Sequence, residues 1–137
     1  MKLLVFGASQ RSGSFNVALA HQAARLAEQN HAVEVMHADY SDFAAPLYDD
    51  RALDRVDQLP EVVQHFVKQL EVADGVMLAS PEYNWSAAGH LKNLIDWVSC
   101  LRPCPFVHKP FLLLCATPSR RGGLLGLAQL QQILTSQ

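Results

Sequence analysis

Nowhere does an apolar run in this sequence approach the roughly 20 residues that a membrane-spanning helix needs. The run that opens the chain, Met1 to Phe6, breaks at Gly7-Ala8-Ser9-Gln10-Arg11, which argues against a signal peptide as well. Cationic surplus is also missing. Eleven Lys and Arg against 13 Asp and Glu give a formal charge of −2, leaving no excess to neutralise nucleic-acid phosphates or coat an anionic membrane. Cysteine is scarce: Cys100, Cys104 and Cys115 are odd in number and lack paired spacing, which suits a reducing cytoplasm better than a disulfide scaffold. His21, His31, His37, His65, His90 and His108 show no metal-type spacing, so no metal is expected. There is no G-x-G-x-x-G, which disfavours a dinucleotide held in the Rossmann manner. No internal repeat or low-complexity tract is present.

What is present fits one domain spanning 1–137, since half of the residues are hydrophobic and the length suffices for a single core. Strand and helix patterns alternate four times, the signature of an α/β fold with helices on both faces of a parallel sheet. Leu3 to Phe6, Val76 to Ala79 and Phe111 to Ala116 are continuous apolar runs, as strands covered on both faces should be. Val33-Glu34-Val35 alternates and is expected at an edge. The first helix is predicted from about Phe15 to Gln29, capped by Ser14, with Phe15, Ala18, Leu19, Ala23 and Leu26 on its inward stripe. The second follows Pro60 and buries Val63, Phe66, Val67 and Leu70. The third buries Leu91, Leu94, Ile95 and Val98, and the fourth turns Leu127, Leu130 and Leu134 inward after Gly122-Gly123. Between them, Asp39 to Leu59 is long for a connection; its Tyr40, Phe43, Leu47 and Tyr48 must pack on their own subunit or on another.

Three junctions carry candidate chemistry. Ser9, Ser12 and Ser14 surround a single cation, Arg11, before the first helix, where unpaired N–H groups and the helix dipole favour one terminal phosphate. Plain helix capping explains the same residues. Pro81-Glu82-Tyr83-Asn84-Trp85 joins a buried strand to the third helix, and its aromatic and amide groups suit a planar amphiphile with a polar edge. A capped loop with half-buried aromatics is the alternative. Thr117 to Gly123, with Arg120 and Arg121, should lie beside both; those arginines are either solvated or attract an anionic substrate.

The segment from Pro81 to Trp97 resembles the flavin loop of the NADPH-dependent FMN reductase family, P-E-Y-N followed by G-x-L-K-N-x-I-D-W, and Ala8 to Asn16 is similar to that family's phosphate loop, G-S-x-R-x-x-S-x-N. The two blocks in order are far more specific than either alone. The resemblance implies a flavodoxin-like, doubly wound sheet of order 2-1-3-4, FMN as cofactor, NADPH or NADH as reductant, and a quinone or similar small molecule as acceptor in a ping-pong sequence. It implies phosphate contacts from Ser9, Arg11, Ser14 and Asn16. Phe15, Pro81, Glu82, Tyr83, Asn84, Trp85, Ser119, Arg120 and Gly122 would complete the flavin site. The flavin would do the chemistry without a catalytic side chain. Ala8 stands where the family usually has glycine and is expected to crowd the turn. Cytoplasmic homodimers or homotetramers are implied, with no nucleic-acid or membrane partner. The rivals are a flavodoxin-type electron carrier and a truncated, non-catalytic remnant, because the family fold expects a fifth strand and a covering helix beyond Gln137. On that expectation the fourth strand is exposed and the chain self-associates or is marginally stable.

Overall fold

The computed structural model of the chain describes residues 1–49 and 59–137. Two apolar strands, β1 (Lys2–Gly7) and β3 (Gly75–Ala79), form the middle of a parallel sheet ordered β2-β1-β3-β6, with β2 (Glu34–His37) and β6 (Phe111–Leu114) at the edges. Leu3 sits opposite Val35 on one side and Gly75 on the other, and Val76 opposite Phe111. Parallel neighbours need long crossovers. These contain α1 (Phe15–Glu28), α2 (Glu61–Val72) and α3 (Gly89–Ser99), and α4 (Leu124–Thr135) follows β6. Helix α1 covers one face, where Ala20 and Ala24 meet Leu3, Val5 and Ala79. On the other, α2, α3 and α4 share a core that includes Leu4, Phe6, Phe66, Leu70, Leu94 and Leu130.

The buried faces of α2 and α3 fall where periodicity places them: Val63, Phe66, Val67 and Leu70 in one, Leu91, Leu94, Ile95 and Val98 in the other, joined by Trp97. Ser14 caps α1 as expected, its hydroxyl accepting from the N–H groups of Asn16 and Val17. The inward stripe of α1 is a correction. Phe15 and Leu26 are 64% and 56% exposed, and the buried positions are Asn16, Ala20 and Ala24. Small residues let this helix lie close on the sheet, so the close-packed face is the least hydrophobic-looking one. Helix α4 buries Leu130, with Leu134 only partly covered.

Strand β6, whose apolar composition suits cover on both faces, is the exposed edge expected where a fifth strand does not follow it. None of its residues is buried and Leu112 is 49% exposed, because β6 pairs with β3 alone. A groove of about 500 Å³ runs between β6 and α4, lined by Phe111, Leu113, Leu127 and Leu134 among others. In the long connection after β2, Asp39 caps a short 3-10 turn, Tyr40–Phe43, and both aromatic ends of that turn enter the core of their own subunit. Tyr48 meets the Trp97 ring at 5.3 Å, while Leu47 is exposed. The rest of that connection, 50–58, lies outside the described residues.

Candidate functional site

Three loops meet at the carboxyl ends of β1, β3 and β6, the edge of an open parallel sheet where ligands bind. The first begins with a close approach of strand to helix. A Cβ on Gly7 would stand 2.6 Å from Val17 Cα and 2.8 Å from the Asn16 carbonyl oxygen, so glycine is required here. Position 8 has no such demand. Ala8 is fully buried, and its N–H donates to the Ala79 carbonyl at 2.8 Å, so the crowding expected of it does not arise. Ser9 Oγ accepts from the Arg11 N–H at 3.3 Å, folding the loop back on itself. Ser9 and Ser14 are buried while the Arg11 side chain is exposed at the rim.

The second loop is a small antiparallel hairpin, β4 (Glu82–Tyr83) against β5 (Ser86–Ala87), where sequence alone suggests an irregular loop. Its two-residue turn, Asn84-Trp85, has φ of 50° and 65°, as in the type I′ turns that match strand twist. Asparagine tolerates this region and tryptophan does not readily, at a cost of about 1–3 kcal/mol. Tyr83 and Trp85 are thereby held outward, 46% and 52% exposed. Glu82 turns away from them, its carboxylate accepting from the Gly126 N–H at 2.8 Å.

The third loop, from Thr117 to Gly123, ends in two left-handed glycines, Gly122 and Gly123, at φ of 63° and 78°. Thr117 Oγ1 accepts from the Ser119 N–H, and Ser119 Oγ from the Arg121 N–H. The Arg121 guanidinium carbon lies 4.5 Å from the centre of the Trp85 ring, a cation–π contact that closes the second and third loops on each other. Beneath it Cys115 has a thiol pushed up by burial and, secondarily, by the Glu82 charge.

The three loops enclose a cleft of about 120 Å³, lined by Ser9, Arg11, Ser14, Phe15, Asn16, Pro81, Glu82 and Tyr83, together with Ala116, Thr117 and Pro118. Eight of the sequence-predicted residues therefore converge. Asn84, Trp85, Ser119, Arg120 and Gly122 do not line this cleft and stand at its rim or beyond. On the far side of the first loop a bowl of about 610 Å³ reaches from Ser9 and Arg11 to Asp39 and Ser41. Asp39 is held below its ordinary carboxylate range by the Ser41 N–H and hydroxyl, which it accepts at 2.9 and 2.8 Å.

The Asn16 side-chain amide is anchored on the backbone before the third loop. Its Nδ2 donates to the Ala116 carbonyl at 3.0 Å and its Oδ1 accepts from the Ala116 N–H at 2.8 Å, so both ends are engaged on the backbone. His90 is a strut also: Nε2 donates to the Ala8 carbonyl at 3.1 Å, and the Tyr40 hydroxyl donates to the His90 carbonyl at 2.8 Å. Burial raises the Tyr40 phenol, which stays protonated. Asn93 fixes the connection after β2, donating to the Pro46 carbonyl and accepting from the Tyr48 N–H. Lys92 pairs with Asp96 one turn along α3 at 2.5 Å. Sequence reasoning missed Gln129, whose Oε1 accepts from Ser86 Oγ at 2.6 Å and from the Ala87 N–H at 3.2 Å; a polar residue on an exposed helical position gives no local signal.

The donor set suits one phosphomonoester: hydroxyls, the N-terminus of α1 and one guanidinium. The outward Tyr83 and Trp85 rings suit a planar group beside it, so the residues present fit FMN. No group of three His, Cys, Asp or Glu that would hold a metal occurs among the described residues.

A parallel 2-1-3-ordered sheet with this loop cluster at its carboxyl edge is the architecture of flavodoxin-like proteins. The chain belongs to the NADPH-dependent FMN reductase family, whose model matches residues 1–137. It is 37% identical over 134 residues to an NAD(P)H-dependent FMN reductase of Pseudomonas aeruginosa, covering 98% of this chain and 69% of that protein. With a quinone reductase of Escherichia coli it shares 36% identity over 126 residues, 92% of this chain and 65% of the other. A solved flavoenzyme, an NAD(P)H:(acceptor) oxidoreductase from Paracoccus denitrificans, matches with a TM-score of 0.83 at 29% identity over 98% of this chain and 71% of that one. The chain thus spans about two thirds of the length of these relatives.

Proposed function

We propose that this chain binds FMN in the three-loop cleft and uses it to pass reducing equivalents from NADPH or NADH to quinones or similar small acceptors. The carrying observation is the convergence of a serine-lined helix N-terminus and an aromatic hairpin at one sheet edge, with Arg11 as the only cation among the described residues lining the cleft. Bound FMN would supply hydride chemistry in a ping-pong sequence, with reductant and acceptor using the same face in turn. Ser9, Ser14 and Arg11 bind the phosphate. Phe15, Pro81, Tyr83 and Trp85 flank the ring, and the Asn84 amide and the backbone of the hairpin address its polar edge. Ser119, Arg120 and Gly122 border the entrance, where a basic side chain draws in an anionic nucleotide. The family resemblance favours a cytoplasmic homodimer or homotetramer.

The visible spectrum of the purified protein before and after anaerobic addition of NADPH tests the reading. Flavin bands that bleach support it. Bands that persist point to an electron carrier, and bands that are absent and cannot be restored by added FMN point to a non-catalytic member of the family.

A further inference from the structure

Two of the residues most naturally taken for cofactor ligands line the cleft yet spend side-chain hydrogen bonds on the two ends of the third loop. Asn16, 4% exposed, gives both ends of its amide to the backbone of Ala116, the residue that precedes the third loop. Glu82 gives its carboxylate to the N–H of Gly126, just past the loop's other end. Helix α4 needs this. Its own N-cap is the left-handed Gly123, with no side-chain cap, so the orphan donor of its first turn is satisfied from another loop by a group whose charge also suits the helix dipole. The contact is close enough to restrict residue 126: a Cβ there would meet Glu82 Cβ and Cγ and the Ser86 carbonyl oxygen, each at 3.2 Å. One turn further, Gln129 holds Ser86 and Ala87 and keeps α4 against the hairpin.

We propose that Asn16 and Glu82 are positioning residues which together suspend the third loop over the cleft, one pin from the phosphate loop's helix and one from the aromatic hairpin. The consequence for the site rests on the flavin reading above: with both ends of the loop fixed, Thr117 and Pro118 keep their places in the cleft lining and Arg121 its place on Trp85. Neither side chain then touches the cofactor. Loss of one pin loosens the loop that faces the ring while the phosphate contacts remain.

Glu82→Ala, Glu82→Gln, Gln129→Ala and Asn16→Asp test this by amide hydrogen exchange on the flavin-free protein, FMN titration and the FMN midpoint potential. Removing the Glu82 acceptor should speed exchange at Gly126 and across the third loop by about tenfold, as loss of a charge-assisted hydrogen bond implies. FMN binding should weaken with it. Glu82→Gln keeps an acceptor and should restore both, leaving the midpoint potential at the parent value. Asn16→Asp, which keeps the acceptor and loses the donor, should speed exchange at Ala116 and Thr117 only. If Glu82→Gln is as damaging to FMN binding as Glu82→Ala, or shifts the potential, the carboxylate acts on the cofactor and the proposal fails. Unchanged exchange in Glu82→Ala also overturns it. Should that variant not fold, Gln129→Ala and the Gln substitution decide between the same outcomes. A parent protein that binds no FMN sinks the flavin reading while leaving the exchange arm intact.

Discussion

Arg11 reaches the cleft from an exposed position, so its removal should cost affinity without costing fold. Arg11→Ala is expected to weaken FMN by about 1.5–3 kcal/mol, the value of a hydrogen bond to a charged group, in a fluorescence titration at fixed ionic strength. Unchanged affinity would remove it from the site. Cys115 gives a pH dependence. Its thiol is raised above the ordinary thiol range by burial and then by Glu82, so the folded state binds the proton more tightly than the unfolded chain. The associated stability is full below the unfolded value and is lost as pH rises through the folded one. Thermal midpoints of the parent should therefore fall more steeply than those of Cys115→Ser once the pH rises past the ordinary thiol value of about 8.5. The local roles at this scale were legible: Ser14 as a cap and Arg11 as a lone cation follow from neighbouring residues. Those of Asn16 and Glu82 were not, because their partners lie 100 and 44 residues away along the chain.

Among the elements, α2 and α3 declare their buried faces because those faces are built of Val, Leu, Ile and Phe. Helix α1 does not, since alanines carry its contact with the sheet and larger apolar residues point outward. The contrast is measurable by urea denaturation. Leu70→Ala, at a fully buried site, should cost about 2–5 kcal/mol. Leu26→Ala, on the exposed side of α1, should stay within about 0.5 kcal/mol. Equal losses would mean that α1 packs on the stripe its hydrophobic pattern suggests. The hairpin escaped detection for another reason: strands of two residues are too short to show any alternation, and its turn lacks the glycine that usually marks one.

At the scale of the molecule, an acidic chain carries two adjacent arginines on its third loop, Arg120 and Arg121, the latter against Trp85. Replacing both with Ser should raise KM for NADPH more than for NADH, because only the former carries the additional phosphate. An unchanged ratio of kcat/KM for the two nucleotides would assign these charges to solvent. The open edge makes a second demand. Leu112 is half-exposed on β6, a strand with no charge to blunt pairing, and the apolar groove lies alongside. Unfolding midpoints should rise with protein concentration, and Leu112→Lys should flatten that dependence in sedimentation and melting experiments. A concentration-independent midpoint in the parent would show that this edge stays unpaired in solution. The composition of the strand announced an interior place, but which neighbour it has is a property of the assembled sheet.

The strained turn also sorts the two tryptophans of the chain into unlike surroundings. Trp97 is 7% exposed and donates its indole N–H to the Pro46 carbonyl at 2.8 Å, whereas Trp85 stands half in solvent beneath Arg121. Their emission should separate into a blue component from the interior and a red one from the hairpin. Such a pair is an internal optical gauge. Quenching of the red component by a bound chromophore reports occupancy of the cleft, and a red shift of the blue one reports opening of the core, so ligand loss and unfolding can be followed separately in one cuvette without a label.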